Sequence, residues 1–150
     1  MPDLPEISAT GSNSEPWPAF TPETVRSAAA QVAEGIRYLN HATLAYKAAS
    51  ALKEPPDVDR VLVELATMAQ RLPQLYEQIA IWLAGQHTAG RIAVTYGTYQ
   101  GRPGTAAMAA EAHLDDAKQA AGAMYEALNA ARQVTAAMSV PYDPESDSDA

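Results

Sequence analysis

VDRVLVELATMAQRLPQLYEQIAIWL, residues 58–83, decides the fold class. Val58, Leu62, Leu65, Ala69, Leu72, Tyr76, Ile79 and Leu83 recur at alternating spacings of four and three, the period that puts apolar side chains on one helix face. Val61, Met68, Leu75 and Trp82 widen that face. A strand alternates every second residue, so this stretch reads as a core helix and the chain as all-α. Pro73 lies inside it, removing one backbone donor and crowding the carbonyl four residues back, which predicts a kink near Ala69 to Leu72. Gly90 is placed to end the helix.

The same rhythm appears on both sides. Upstream it runs through Val25, Ala29, Val32, Ile36, Leu39, Thr43, Tyr46 and Ser50, predicting one helix from Pro22 to Leu52. Thr21 is its N-cap and Pro22 its first residue, with Phe20 and Val25 at the two positions of a hydrophobic staple. Pro55 and Pro56 separate it from the second helix. Downstream, Thr105 reads as the cap of a third helix with the seam Ala110, Leu114, Ala117, Ala121, Met124, Leu128, Ala131, Thr135 and Met138, stopped by Pro141. The expected architecture is three long antiparallel helices in a bundle. An alanine seam buries little area, so this third helix either lies very close to its neighbours or is completed by another chain.

Residues 1–20 and 141–150 are acidic and rich in Pro, Ser and Gly or Asp and Ser, and read as disordered tails around a helical domain at 21–140. All ten Lys and Arg lie in that domain with eleven of the eighteen acids, so the net charge of −8 belongs mostly to the tails, which would repel nucleic acid. There is no cysteine, which removes disulfides, thiolate metal sites and thiol nucleophiles and fits a reducing compartment. The N-terminus has no apolar signal region, and the longest apolar run, Ile79 to Ala84, is far short of the ~20 residues that span a bilayer. A cytoplasmic protein without a membrane segment is expected.

Chemistry-bearing motifs are sparse. The three histidines lack a partner at metal-ligand spacing, and no catalytic, cofactor or metal site is expected. Glu111, Asp115 and Asp116 suit the first turns of a helix, where acids favour its dipole. The loop at 91–104 is long for a bundle connection and alternates weakly like a strand at Ile92, Val94 and Tyr96. With its flanks it gathers His87, Arg91, Tyr96, Tyr99 and Arg102, a mixture of bases and aromatics suited to an anionic ligand, although its glycines lack phosphate-loop spacing. Trp17, between Pro16 and Pro18, is a candidate recognition residue in the tail.

Arg37-Tyr38-Leu39-Asn40-His41-Ala42-Thr43, with Trp82-Leu83 followed by His87, Ala89, Gly90 and Arg91, resembles uncharacterised small helical proteins of high-GC actinobacteria over about residues 25 to 137. The resemblance implies a bacterial cytoplasmic protein and carries no site residues. The expected function is a non-enzymatic helical interaction or scaffold module working through protein–protein contacts, with the third helix presented to itself or to a partner. The alternative is a regulatory module that binds nucleic acid or an anionic ligand through the 87–105 loop.

Overall fold

The computed structural model describes residues 19–141, and the chain divides into two compact units after Ala51. Among the described residues it is all-α, with four helices: α1 at Pro22–Ala42, α2 at Ala45–Ala51, α3 at Pro55–Thr88 and α4 at Pro103–Thr135. Trp17, most of the expected N-terminal tail and nearly all of the C-terminal one lie outside the described residues.

In the first unit α1 begins as expected. Thr21 Oγ1 accepts the Thr24 amide at 3.2 Å and Thr24 Oγ1 accepts the Thr21 amide at 3.0 Å, so a threonine completes the capping box where glutamate or glutamine is usual. Phe20 and Val25 both stay largely exposed, and a staple there shields little. The helix expected to run unbroken to Leu52 is instead two. At Thr43 the side-chain hydroxyl donates to the Leu39 carbonyl at 2.8 Å, offering the backbone an alternative to the helical ladder. The Leu44 carbonyl then accepts from Lys47 and Ala48 at 2.7 and 2.8 Å and starts α2. The apolar face of α1 is exposed along Val25, Val32 and Ile36.

The second unit is an antiparallel pair of helices. Asp59 near the start of α3 meets Thr135 at the end of α4, Glu77 meets Lys118 midway, and His87 meets Gly104 at the loop end. α3 opens with Pro55 and Pro56 at positions where a missing amide costs nothing, and the Asp57 carboxylate takes the amides of Lys53 and Glu54, both at 3.0 Å. It continues through Pro73 to Thr88 as one element. Gly90 ends it as expected: at φ 68° it lets Arg91 donate to the Gln86 carbonyl and its own amide to His87, both at 2.9 Å, the Schellman pattern.

At the start of α4 the structure departs from expectation. Arg102, not Thr105, is the cap residue, because Pro103 takes the first helical position and Thr105 already lies inside the helix.

The side chains that are buried are not the large ones. Ala66, Ala69, Ala107 and Ala121 make up the buried core among the described residues. On α3 the line facing α4 passes through Ala69, Pro73, Tyr76, Ala80 and Leu83; Leu72 is half-buried on its flank and Ile79 is exposed. On α4 it passes through Ala107, Leu114, Ala121, Tyr125, Leu128 and Arg132, one position beyond the expected Met124 and Ala131 in the last third. Alanines thus alternate on the meeting line with half-buried larger side chains, Tyr76, Leu83, Leu114, Tyr125 and Leu128 among them.

Candidate functional site

The loop at 89–102 is built from turns, with no strand in it. Gly97 and Gly101 hold φ values of 80° and 71°, which a side chain would strain. The Gly101 amide closes the loop onto the Val94 carbonyl at 2.9 Å, and the Arg102 amide donates to the Tyr99 carbonyl at 2.9 Å. The strand-like alternation survives only as burial: Ile92 and Val94 are half-buried while Ala93 and Thr95 face solvent.

The five candidates here do not converge. The Arg102 guanidinium donates to the Thr98 carbonyl within the loop, and so serves as a strut of the turn. The His87 ring lies against Gly104, with Cε1 and Nε2 each 3.3 Å from where a Cβ at 104 would stand, and packs the loop end of α3 onto the first turn of α4. Tyr99 is half-buried; Arg91 and Tyr96 are exposed, and no hydrogen bond or ion pair among the described residues joins them to the others. His41 accepts from the Lys47 ammonium across the α1–α2 break, and His113 stands 3.9 Å from Asp116; both histidines are exposed. Among the described residues no three potential metal ligands gather, and no helix is long and apolar enough to cross a membrane.

The two sides of the α3–α4 pair differ, as helix geometry dictates. Residues one after the meeting line share a flank on both helices, and residues one before it share the other. The first flank holds a shallow groove of about 260 Å3 with Ile81, Ala84 and Leu114 in its floor. Glu77, Glu111, Asp115 and Lys118 form its rim, where the Lys118 ammonium is 3.7 Å from Glu77 Oε1. This pair is open to water and holds the helices together only weakly. The acidic residues at the start of α4 thus lie beside the opposite helix, which sequence spacing alone did not indicate.

The second flank is apolar. α3 contributes a ridge of Leu72, Leu75, Ile79 and Trp82, with Ile79 40% and Trp82 62% exposed. α4 contributes a shelf of Ala106, Ala110, Ala117, Ala120, Met124, Ala127 and Ala131. His113 stands between Ala110 and Ala117 at the edge of this shelf, with the Asp116 carboxylate 3.9 Å away. A second hollow of about 340 Å3 runs along the outer edge of the ridge, between Glu64, Met68, Arg71 and Leu75. The periodic sequence had assigned these ridge residues to the core. A monomer's isolated apolar residues need no explanation, but a continuous ridge over about three helical turns is the mark of a surface meant to be covered.

At the far end of the pair, Asp59 Oδ1 accepts from Thr135 Oγ1 at 3.0 Å and stands 3.8 Å from Arg132 Nε. Arg132 Nε is buried without a hydrogen-bond partner, while its Nη1 donates to Asn129 at 3.3 Å. These groups form a clasp between the helix ends.

Comparison with protein-family models, with curated proteins and with solved structures finds no match for the chain.

Proposed function

We propose that the chain is a non-enzymatic helical interaction module, and that its working surface is the apolar flank of the α3–α4 pair. The observation that carries this reading is the ridge of half-buried Leu72 with Leu75, Ile79 and Trp82, the last three exposed on a helix whose buried positions are alanines. Two helices make an incomplete bundle, and the three-helix bundle expected from the seams is here read as a pair whose missing layer comes from a partner. Trp82 fits the role: large aromatic side chains anchor interfaces because they release much ordered water for few frozen torsions. A cytoplasmic setting agrees with the absence of cysteine.

The loop reading is weaker, since Arg102 is engaged by Thr98 and His87 by the first turn of α4.

A photoreactive amino acid at Ile79, introduced in the cells that express the protein, tests the reading. Adducts are expected at position 79 and not at Glu126, which lies on the opposite flank. Equal adduct yields at the two positions would refute it.

A further inference from the structure

We infer that the partner on this flank is a second copy of the same chain, and that the two α3–α4 pairs stack face to face about a two-fold axis parallel to the helices. This rests on reading the flank as a docking surface, and it follows from the shape of that surface.

The flank is uneven in a way that complements itself. One helix raises Leu75, Ile79 and Trp82, while the other recedes to Ala110, Ala117 and Ala120. A two-fold axis along the helices sets α3 of one copy over α4 of the other, so each ridge enters the opposite shelf. Every neighbouring pair of helices is then antiparallel, the arrangement of a four-helix bundle. An axis across the helices would instead set ridge on ridge and shelf on shelf, leaving the shelves unfilled.

Area and charge agree. From Ala106 to Ala131 the shelf is about 38 Å long, and two helices side by side are about 20 Å wide, so the face offers about 760 Å2. A standard interface takes about 800 Å2 from each partner. The ridge carries no ionisable side chain, and the ionisable groups beside the shelf, His113 and Asp116, face the ridge of the other copy, so two copies meet without stacking like charges. A partner of different sequence has no need of a surface that carries both a ridge and its mould.

Light scattering on the full chain after size exclusion, across a wide range of concentration, is expected to give twice the 15.9 kDa of one chain. Ile79→Glu should give the mass of a single chain with unchanged helix content by circular dichroism, because residue 79 is already 40% exposed. Glu126→Lys on the opposite flank should stay dimeric. A full chain that remains monomeric at every concentration would overturn the proposal, as would an Ile79→Glu variant that stays dimeric.

The chain has no cysteine of its own, so Leu75→Cys and Ala120→Cys test the axis directly. Mixed and oxidised, the two single variants should form the 75–120 disulfide between copies; a 75–75 disulfide in its place would overturn the axis. A monomer that still forms adducts at position 79 with a different protein would remove the second copy while supporting the docking surface.

Discussion

Ala69 is 0% exposed on the line where α3 meets α4, and Ala69→Leu tests whether close approach of the two helices holds the pair together. The substitution adds three carbon atoms. Had the site room for them, burial at about 0.8 kcal/mol per methylene would stabilise by about 2.4 kcal/mol. No such room exists: Ala69 is fully buried, and the register set by Asp59 with Thr135 and Glu77 with Lys118 places it level with the half-buried Tyr125. The added atoms must push α4 away or leave their preferred rotamer, at a cost of about 1–3 kcal/mol.

For a unit of this size that corresponds to a fall of about 4–8 °C in Tm per kcal/mol. Two comparisons fix the interpretation. Ala123→Leu, at an exposed position of α4, should change stability by less than about 0.5 kcal/mol. Ile81→Ala removes a larger side chain, but one 66% exposed, so about a third of the ~3 kcal/mol of a fully buried isoleucine is lost, about 1 kcal/mol. Urea unfolding followed by circular dichroism measures all three. If Ala69→Leu costs less than Ile81→Ala, the pair is not organised around its alanines and the packing argument fails.

The glycines at the two ends of the loop should respond in opposite directions. Gly90→Ala forces a side chain to φ 68° and should destabilise by about 1–2 kcal/mol in the same assay. Gly104→Ala should be neutral or stabilising by up to about 1 kcal/mol, because alanine is the better helix former and the neighbour that must yield is the exposed His87 ring. The backbone amides of Glu54, then Lys53, hold the Asp57 carboxyl below its ordinary value of 3.8. A depressed folded-state value stabilises the fold above pH 3.8, and that stability is lost as the pH falls from 3.8 through the lower folded value. The stability difference between wild type and Asp57→Ala should therefore be constant at neutral pH and shrink in acid; a difference that persists unchanged down to pH values well below 3.8 would refute the role of the carboxylate.

The helical class, the Thr21 cap and the Gly90 terminator were legible in the sequence because each depends on a few adjacent residues. The meeting line was legible in part: Ala69, Tyr76 and Leu83 on α3 and Leu114, Ala121 and Leu128 on α4 lie on the seams read from the periodicity. Hydrophobic periodicity favours the largest side chains, and Leu72 and Ile79 lie one position from Pro73 and Ala80, which do face α4. The alanines of the seams read as a sign of close approach, and Ala69 and Ala121, both on those seams, are buried. The break at Thr43 was hidden because the Tyr46 and Ser50 seam continues across it in phase. Pro103 could have located the start of α4, since proline at the first helical position is a stronger signal than a threonine two residues later. At the loop, composition gathered His87, Arg91, Tyr96, Tyr99 and Arg102, but the turns commit the Arg102 guanidinium to Thr98 and the His87 ring to Gly104. The apolar ridge was recognised residue by residue and assigned to the interior, because sequence alone does not tell a covered stripe from one awaiting cover.

The Asp59, Arg132 and Thr135 clasp has a kinetic consequence. α3 and α4 are joined at His87 and Gly104, where the chain separation between contacting residues is smallest, so closing the pair there costs the least loop entropy. Each further layer toward the N-terminus of α3 follows on one already formed, and the clasp, its partners 76 positions apart in sequence, closes last. It therefore acts as a latch on the end of a zipper. Weakening it should speed opening far more than it slows folding, and amide exchange should be fastest near Asp59 and slowest toward the loop.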